Sequence, residues 1–82
     1  HSDWTLYPNP VSNELKIVSN LRDIQSISIQ LYNLQKQQLD ENHFVVHPHD
    51  VIRLNTSLLI PGIYIVAIRS GERVEYLKFV KG

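Results

Sequence analysis

Cysteine is absent from this chain of 82 residues. The fold therefore has no disulfide staple, no thiolate metal site and no thiol nucleophile, and the missing disulfides say nothing about compartment. Glycine is scarce, with three residues at positions 62, 71 and 82, which excludes a glycine-rich phosphate loop. Alanine occurs once, at Ala67, and no stretch sustains the apolar spacing of three and four that marks an amphipathic helix. Neither sign of charge dominates: eight basic residues balance eight acidic ones, whereas a nucleic-acid-binding domain carries a basic excess. No apolar run approaches the roughly 18 residues of a membrane-spanning helix.

What remains is 43% hydrophobic, drawn mostly from Ile, Val, Leu, Tyr and Phe. That is enough apolar material for one core, and the length suits a single domain, residues 1–82 with a core over 6–81. The chain opens on His1 with no basic-then-apolar leader behind it, and we read it as a piece of a longer protein.

Alternation of apolar and polar residues points to strands. Leu15 and Ile17 share one face of Glu14 to Val18. Ile27, Ile29 and Leu31 share one face of Ser26 to Tyr32, and Ser26, Ser28 and Gln30 share the other. This is a strand with one dry and one wet face. His43 to His47 and Val51 to Leu54 read as shorter strands. Gly62 to Ser70 is apolar on both faces, as a central strand would be. Arg73 to Lys81 starts with Val74 and Tyr76 on one face and then shifts to Leu77 and Phe79, which predicts a bulge near Tyr76-Leu77.

The punctuation fits. Tyr7-Pro8-Asn9-Pro10 excludes a helix interior or a central strand. Pro61-Gly62 suits the centre of a type II turn and Gly71-Glu72 a tight type II′ hairpin. Asp40-Glu41-Asn42 and Pro48-His49-Asp50 mark further turns. About seven short strands at this spacing predict an all-β, antiparallel sandwich.

Candidate chemistry is thin. His43, His47 and His49 share strand parity, but Pro48 interrupts them and no carboxylate completes a ligand set, so we assign no metal and no cofactor. No serine sits in a glycine-flanked elbow. Asp40, Glu41 and Glu72 fall in predicted turns, where a carboxylate has no apolar pocket to suit it to acid–base catalysis. We therefore expect no enzyme. Asn55-Thr56-Ser57 matches a glycosylation acceptor, a pattern too short to carry weight. Trp4, Tyr7, Tyr32, Tyr64 and Tyr76 could form a sugar-stacking platform, against which Tyr64 and Tyr76 are expected to line the core and Trp4 to cover one end from a lead-in segment.

Three segments in order carry a resemblance. Leu6-Tyr7-Pro8-Asn9-Pro10 is followed by Leu15-Lys16-Ile17; Ile29-Gln30-Leu31-Tyr32-Asn33-Leu34 stands in the middle; Pro61-Gly62-Ile63-Tyr64-Ile65-Val66 leads to Lys78-Phe79-Val80-Lys81. Over Leu6 to Lys81 the chain resembles the C-terminal sorting domain of the type IX (Por) secretion system, type A, of Bacteroidetes. The resemblance implies an immunoglobulin-like sandwich that directs an upstream cargo across the outer membrane. Its implied partners are the translocon, an outer-membrane shuttle protein and a sortase that removes the domain. Its implied route runs through the periplasm to the cell surface or the medium. The implied motif positions are Tyr7, Pro8, Asn9, Pro10, Tyr32, Asn33, Pro61, Gly62 and Tyr64. On the closing strand, Lys78, Phe79, Val80 and Lys81 are our candidates for translocon recognition, by strand addition or by capture of the chain end. The sequence departs from the family after Tyr32-Asn33, where Leu34-Gln35-Lys36-Gln37 lacks the usual glycine. If that turn needs a positive φ, Lys36 or Gln37 must supply it. Two other functions are carried forward: a carbohydrate-binding or adhesive module of a secreted protein, and a passive spacer.

Overall fold

A computed structural model describes residues 3–82. The reading of His1 as the cut end of a longer chain lies outside the described residues. Seven strands make up the structure: β1 Trp4–Tyr7, β2 Glu14–Ser19, β3 Gln25–Asn33, β4 Gln38–Val46, β5 Val51–Asn55, β6 Gly62–Ser70 and β7 Arg73–Lys81. All strand pairs are antiparallel, in a three-stranded sheet β1-β2-β5 and a four-stranded sheet β4-β3-β6-β7. The arrangement is the expected all-β sandwich and is compatible with an immunoglobulin-like one.

The core follows from the alternation. Leu15 and Ile17 of β2 and Ile52 of β5 face Ile27, Ile29 and Leu31 of β3, and Tyr64, Val66 and Ile68 of β6, across the sandwich. Phe79 of β7 is fully buried and its ring stacks on Tyr64, with centroids 5.6 Å apart. Burying a side chain of this kind is worth roughly 1.5–3 kcal/mol. β6 lies between β3 and β7, so its position is central, as its two apolar faces require.

Trp4 belongs to a strand and not to a lead-in: β1 pairs with β2 from Trp4↔Ser19 to Tyr7↔Lys16, and the Trp4 side chain is buried. The Asp40-Glu41-Asn42 turn is also overturned, since all three residues lie inside β4. β4 is an edge strand, where polar residues can face solvent without breaking the ladder. The expected bulge in β7 is absent. Its register with β6 runs unbroken from Gly62↔Lys81 to Ser70↔Arg73. The parity shift read from the sequence comes from Glu75, a polar residue at an inward position near the strand's start, whose Oε1 accepts the Asp3 amide at 3.4 Å. Val74 and Tyr76 therefore face outward, and Tyr76 is 66% exposed instead of lining the core. The bulge lies elsewhere: Leu31 pairs with Asp40 but Tyr32 with Gln38, leaving Leu39 as the extra residue.

Turn chemistry was partly misplaced. Gly71 has φ +63° and Glu72 has no positive φ, the sign pattern of a type II′ hairpin. Gly62 instead opens β6 at φ +157°, close to extended and far from the roughly +80° of a type II turn. The turn before β6 is Thr56 to Leu59, closed by the Leu59 amide on the Thr56 carbonyl at 3.1 Å. A type II arrangement occurs at Pro48-His49, with His49 at φ +67° and the Asp50 amide on the His47 carbonyl at 3.2 Å.

The β3–β4 hairpin resolves the missing glycine. Lys36 takes φ +65°. The Lys36 amide donates to the Asn33 carbonyl at 3.1 Å, and the Asn33 amide donates to the Gln37 carbonyl at 3.2 Å. This is a turn followed by a left-handed residue, the position glycine occupies at least cost. Asn33 holds the loop from inside: its Oδ1 accepts the amides of Gln35 at 2.9 Å and Gln37 at 3.0 Å, and its Nδ2 donates to Gln37 Oε1 at 2.8 Å. We predict that Lys36→Gly stabilises the domain by about 0.5–1 kcal/mol, the gain on relieving a left-handed residue less the extra entropy of glycine. Asn33→Ala should destabilise it by about 1–2 kcal/mol. Denaturant midpoints measure both, and a lower midpoint for Lys36→Gly would contradict this reading of the hairpin.

Candidate functional site

The four proposed recognition residues are the last four of β7, and strand alternation divides them. Lys78 and Val80 face outward; Phe79 and Lys81 face inward and are buried. Lys81 is 8% exposed, which is unusual for lysine. Its stem packs inside, and its ammonium group donates to the carbonyls of Ser12 and Thr56, the latter at 2.7 Å. Ser12 belongs to the β1–β2 connection and Thr56 to the β5–β6 connection, so one side chain ties β7 to both loops at this pole.

The Tyr7-Pro8-Asn9-Pro10 motif leads to the same strand. Both X–Pro bonds in it are cis. Asn9 Oδ1 accepts the Val80 amide at 2.9 Å, so a side chain completes the strand edge as backbone would. Beyond it, the Val11 amide donates to the Val80 carbonyl at 2.8 Å and the Gly82 amide to the Val11 carbonyl at 2.9 Å, forming a short parallel bridge. Val11 is buried beside them. Thr56 completes the cluster, with its amide on the Asn13 carbonyl at 2.9 Å and its hydroxyl donating to the Ser12 carbonyl at 3.2 Å.

Edge pairing at Val80 is therefore satisfied internally. In an antiparallel ladder, alternate residues point their backbone groups away from the partner strand. Tyr76 and Lys78 share the parity of Val80, and among the described residues no backbone partner meets them on that side. A strand could be added to β7 there, but not over Val80, where Asn9 and Val11 already sit.

Other motif positions have structural duties. The Tyr64 hydroxyl donates to the Ile60 carbonyl at 2.6 Å, pinning the loop that carries Pro61 and Gly62. This tether from the start of a strand to backbone just upstream is a feature of immunoglobulin-like sandwiches. Tyr7 is partly exposed, with Lys16 Nζ 5.5 Å from its ring centroid. The five aromatics form no common platform. Trp4 and Tyr64 are buried, whereas Tyr32 and Tyr76 share a surface hollow on the outer face of the four-stranded sheet with Ile65. The histidines are likewise separate in role: His43 lies 3.5 Å from Glu41 and His47 lies 3.4 Å from Asp50. Among the described residues no group of three histidines or carboxylates converges.

Sequence reasoning missed the roles of Asn9, Asn33 and Thr56. It also treated Lys81 as a surface cation, although its parity with Leu77 and Phe79 marks it as inward. A further surface went unread: Leu58-Leu59-Ile60 is an apolar run in a loop, and it lines a groove with Leu34, Leu39 and Ile63.

These features define a small β-sandwich module, whose available chemistry is strand edges and apolar surface. Compared with known families, the chain matches the secretion system C-terminal sorting domain over residues 5–82 and belongs to that family. It is a sorting signal for type IX secretion, and that family is not one of enzymes. No curated protein matches the chain.

The division of β7 gives a direct test. Lys81→Ala should lower stability by about 2 kcal/mol, because it removes a buried stem and the charged donor that ties the two loops to β7. Lys78→Ala should change it by less than about 0.5 kcal/mol, as at an ordinary surface position. Equal urea midpoints for the two variants would mean that Lys81 does not bridge the loops.

Proposed function

We propose that this domain acts as the folded address of a larger exported protein of a Bacteroidetes bacterium, as a type A sorting domain. It is carried through the periplasm on its cargo, recognised by the translocon and its outer-membrane shuttle protein, and cut off by a sortase as the cargo reaches the surface or the medium. The observation that carries this reading is the family match over residues 5–82, on a fold whose closing strand is fastened at its end. Within the candidate set, Lys78 and Val80 are the contact residues, and Phe79 and Lys81 hold them in place. Recognition then reads a folded strand edge at Tyr76 and Lys78, and not a loose chain end.

A fluorescent reporter that folds in the periplasm, carrying a Sec signal and this chain at its C-terminus, tests the reading in a host with an active type IX system. The tagged reporter should reach the surface or medium, remain periplasmic in a translocon mutant, and remain periplasmic without the tag. Lys78→Ala should reduce export while the fold stays intact. Retention of the intact tagged reporter in the wild-type host would refute the sorting role for this domain. Normal export of the Lys78→Ala form would remove that residue from the contact.

A further inference from the structure

The groove between the β3–β4 hairpin and the β5–β6 loop gathers five exposed aliphatic side chains. It measures about 460 Å³. Leu58 and Ile60 are 94% and 76% exposed, and Leu34, Leu39 and Ile63 join them at 54%, 44% and 40%. Scattered surface aliphatics need no explanation, but five converging on one groove do.

Folding does not demand them. The Thr56 to Leu59 turn is closed by backbone and by the Asn55 side chain, whose Oδ1 accepts the Ser57 amide at 2.9 Å. Of the run Leu58-Leu59-Ile60, only Leu59 packs on the core. Polar residues at 58 and 60 would serve the turn as well.

The groove is also held in shape. One wall is the hairpin fixed by Asn33. The other is fixed by the Tyr64 hydroxyl on the Ile60 carbonyl and by Tyr64 stacking on Phe79. A preformed site avoids much of the ordering cost of binding. Its lining contains no charged residue. A charged peptide entering it would lose hydration without meeting a counter-charge. A membrane surface would be expected to meet a basic polar face, and the lining has no lysine or arginine. The chemistry that fits is a neutral, aliphatic stretch of another protein. Ile63 lines the groove and pairs directly with Val80, so the surface is continuous with the end of β7.

We propose that this groove docks an uncharged aliphatic segment of the type IX export machinery, making it a second contact beside the closing strand. The proposal rests on the sorting function of the domain. In the reporter fusion, Leu58→Ser and Ile60→Ser should each cut export by roughly tenfold, as expected when an anchoring side chain is lost. Their denaturant midpoints should match the parent, because both side chains are exposed. Val45→Ser, an exposed apolar position outside the groove, should export normally. A photo-crosslinking residue at position 58 should form an adduct with an outer-membrane component of the system, and one at position 45 should not.

Normal export of the parent together with normal export of both groove variants overturns the docking proposal and leaves the sorting role standing. Retention of the parent itself overturns the sorting role, and the docking proposal falls with it. Two further results would also overturn it. One is concentration-dependent self-association, by sedimentation, that Leu58→Ser abolishes, which would assign the groove to a second copy. The other is sedimentation of the parent, but not Leu58→Ser, with anionic vesicles, which would assign it to lipid.

Discussion

The fastening of β7 at its end is the constraint on which the rest of the structure depends. A closing strand at a sheet edge would ordinarily fray, because half its backbone groups face solvent. Here Asn9 and Val11 take up both backbone groups of Val80, and Lys81 reaches across the sandwich to the Ser12 and Thr56 carbonyls. The β1–β2 connection, the β5–β6 connection and the chain end are thereby joined at one pole. Phe79 sits directly inside this joint and stacks on Tyr64, which in turn pins Ile60. The same contacts that close the core thus fix the loop bearing the aliphatic groove.

This arrangement bears on how such an address can be read. A signal in a flexible tail would pay the ordering entropy at the moment of binding. A fastened strand presents its free backbone edge at Tyr76 and Lys78 already extended, with its outward side chains at a set spacing. The groove, on the neighbouring loop, extends the same rigid surface. In the proposed recognition, two contacts held by one fold would favour binding of the folded domain, and residues that hold the surface are separate from residues that form it. Lys78 and Lys81, three positions apart, fall on opposite sides of that division.

Much of the fold was legible because alternation is a strong signal when one face is dry. β2 and β3 were read with the correct inward residues, β6 was read as a central strand with two apolar faces, and Gly71 marked its hairpin. The errors have local physical causes. Glu75 obscured the parity of β7, because an inward polar residue at a strand's start finds a backbone partner that no sequence pattern announces. The polar run Asp40-Glu41-Asn42 resembled a turn, although an edge strand tolerates such residues. Pro61-Gly62 looked like a turn centre, but Thr56 to Leu59 had already reversed the chain. The site was less legible than the fold. A terminal lysine reads as exposed unless its two acceptor carbonyls are known, and these come from loops 69 and 25 residues away in sequence. The missing hairpin glycine, by contrast, narrowed a positive φ to Lys36 or Gln37, and Lys36 carries it.

The central claim is that β7 is fastened at Val80 and open at Tyr76 and Lys78, on the same side of one strand. Amide hydrogen exchange of the native domain, resolved by residue with NMR, measures this directly. The account predicts slow exchange at Val80 and Val11, close to the limit set by global unfolding, and fast exchange at Tyr76 and Lys78. Fast exchange at Val80, matching its neighbours of the same parity, would contradict it.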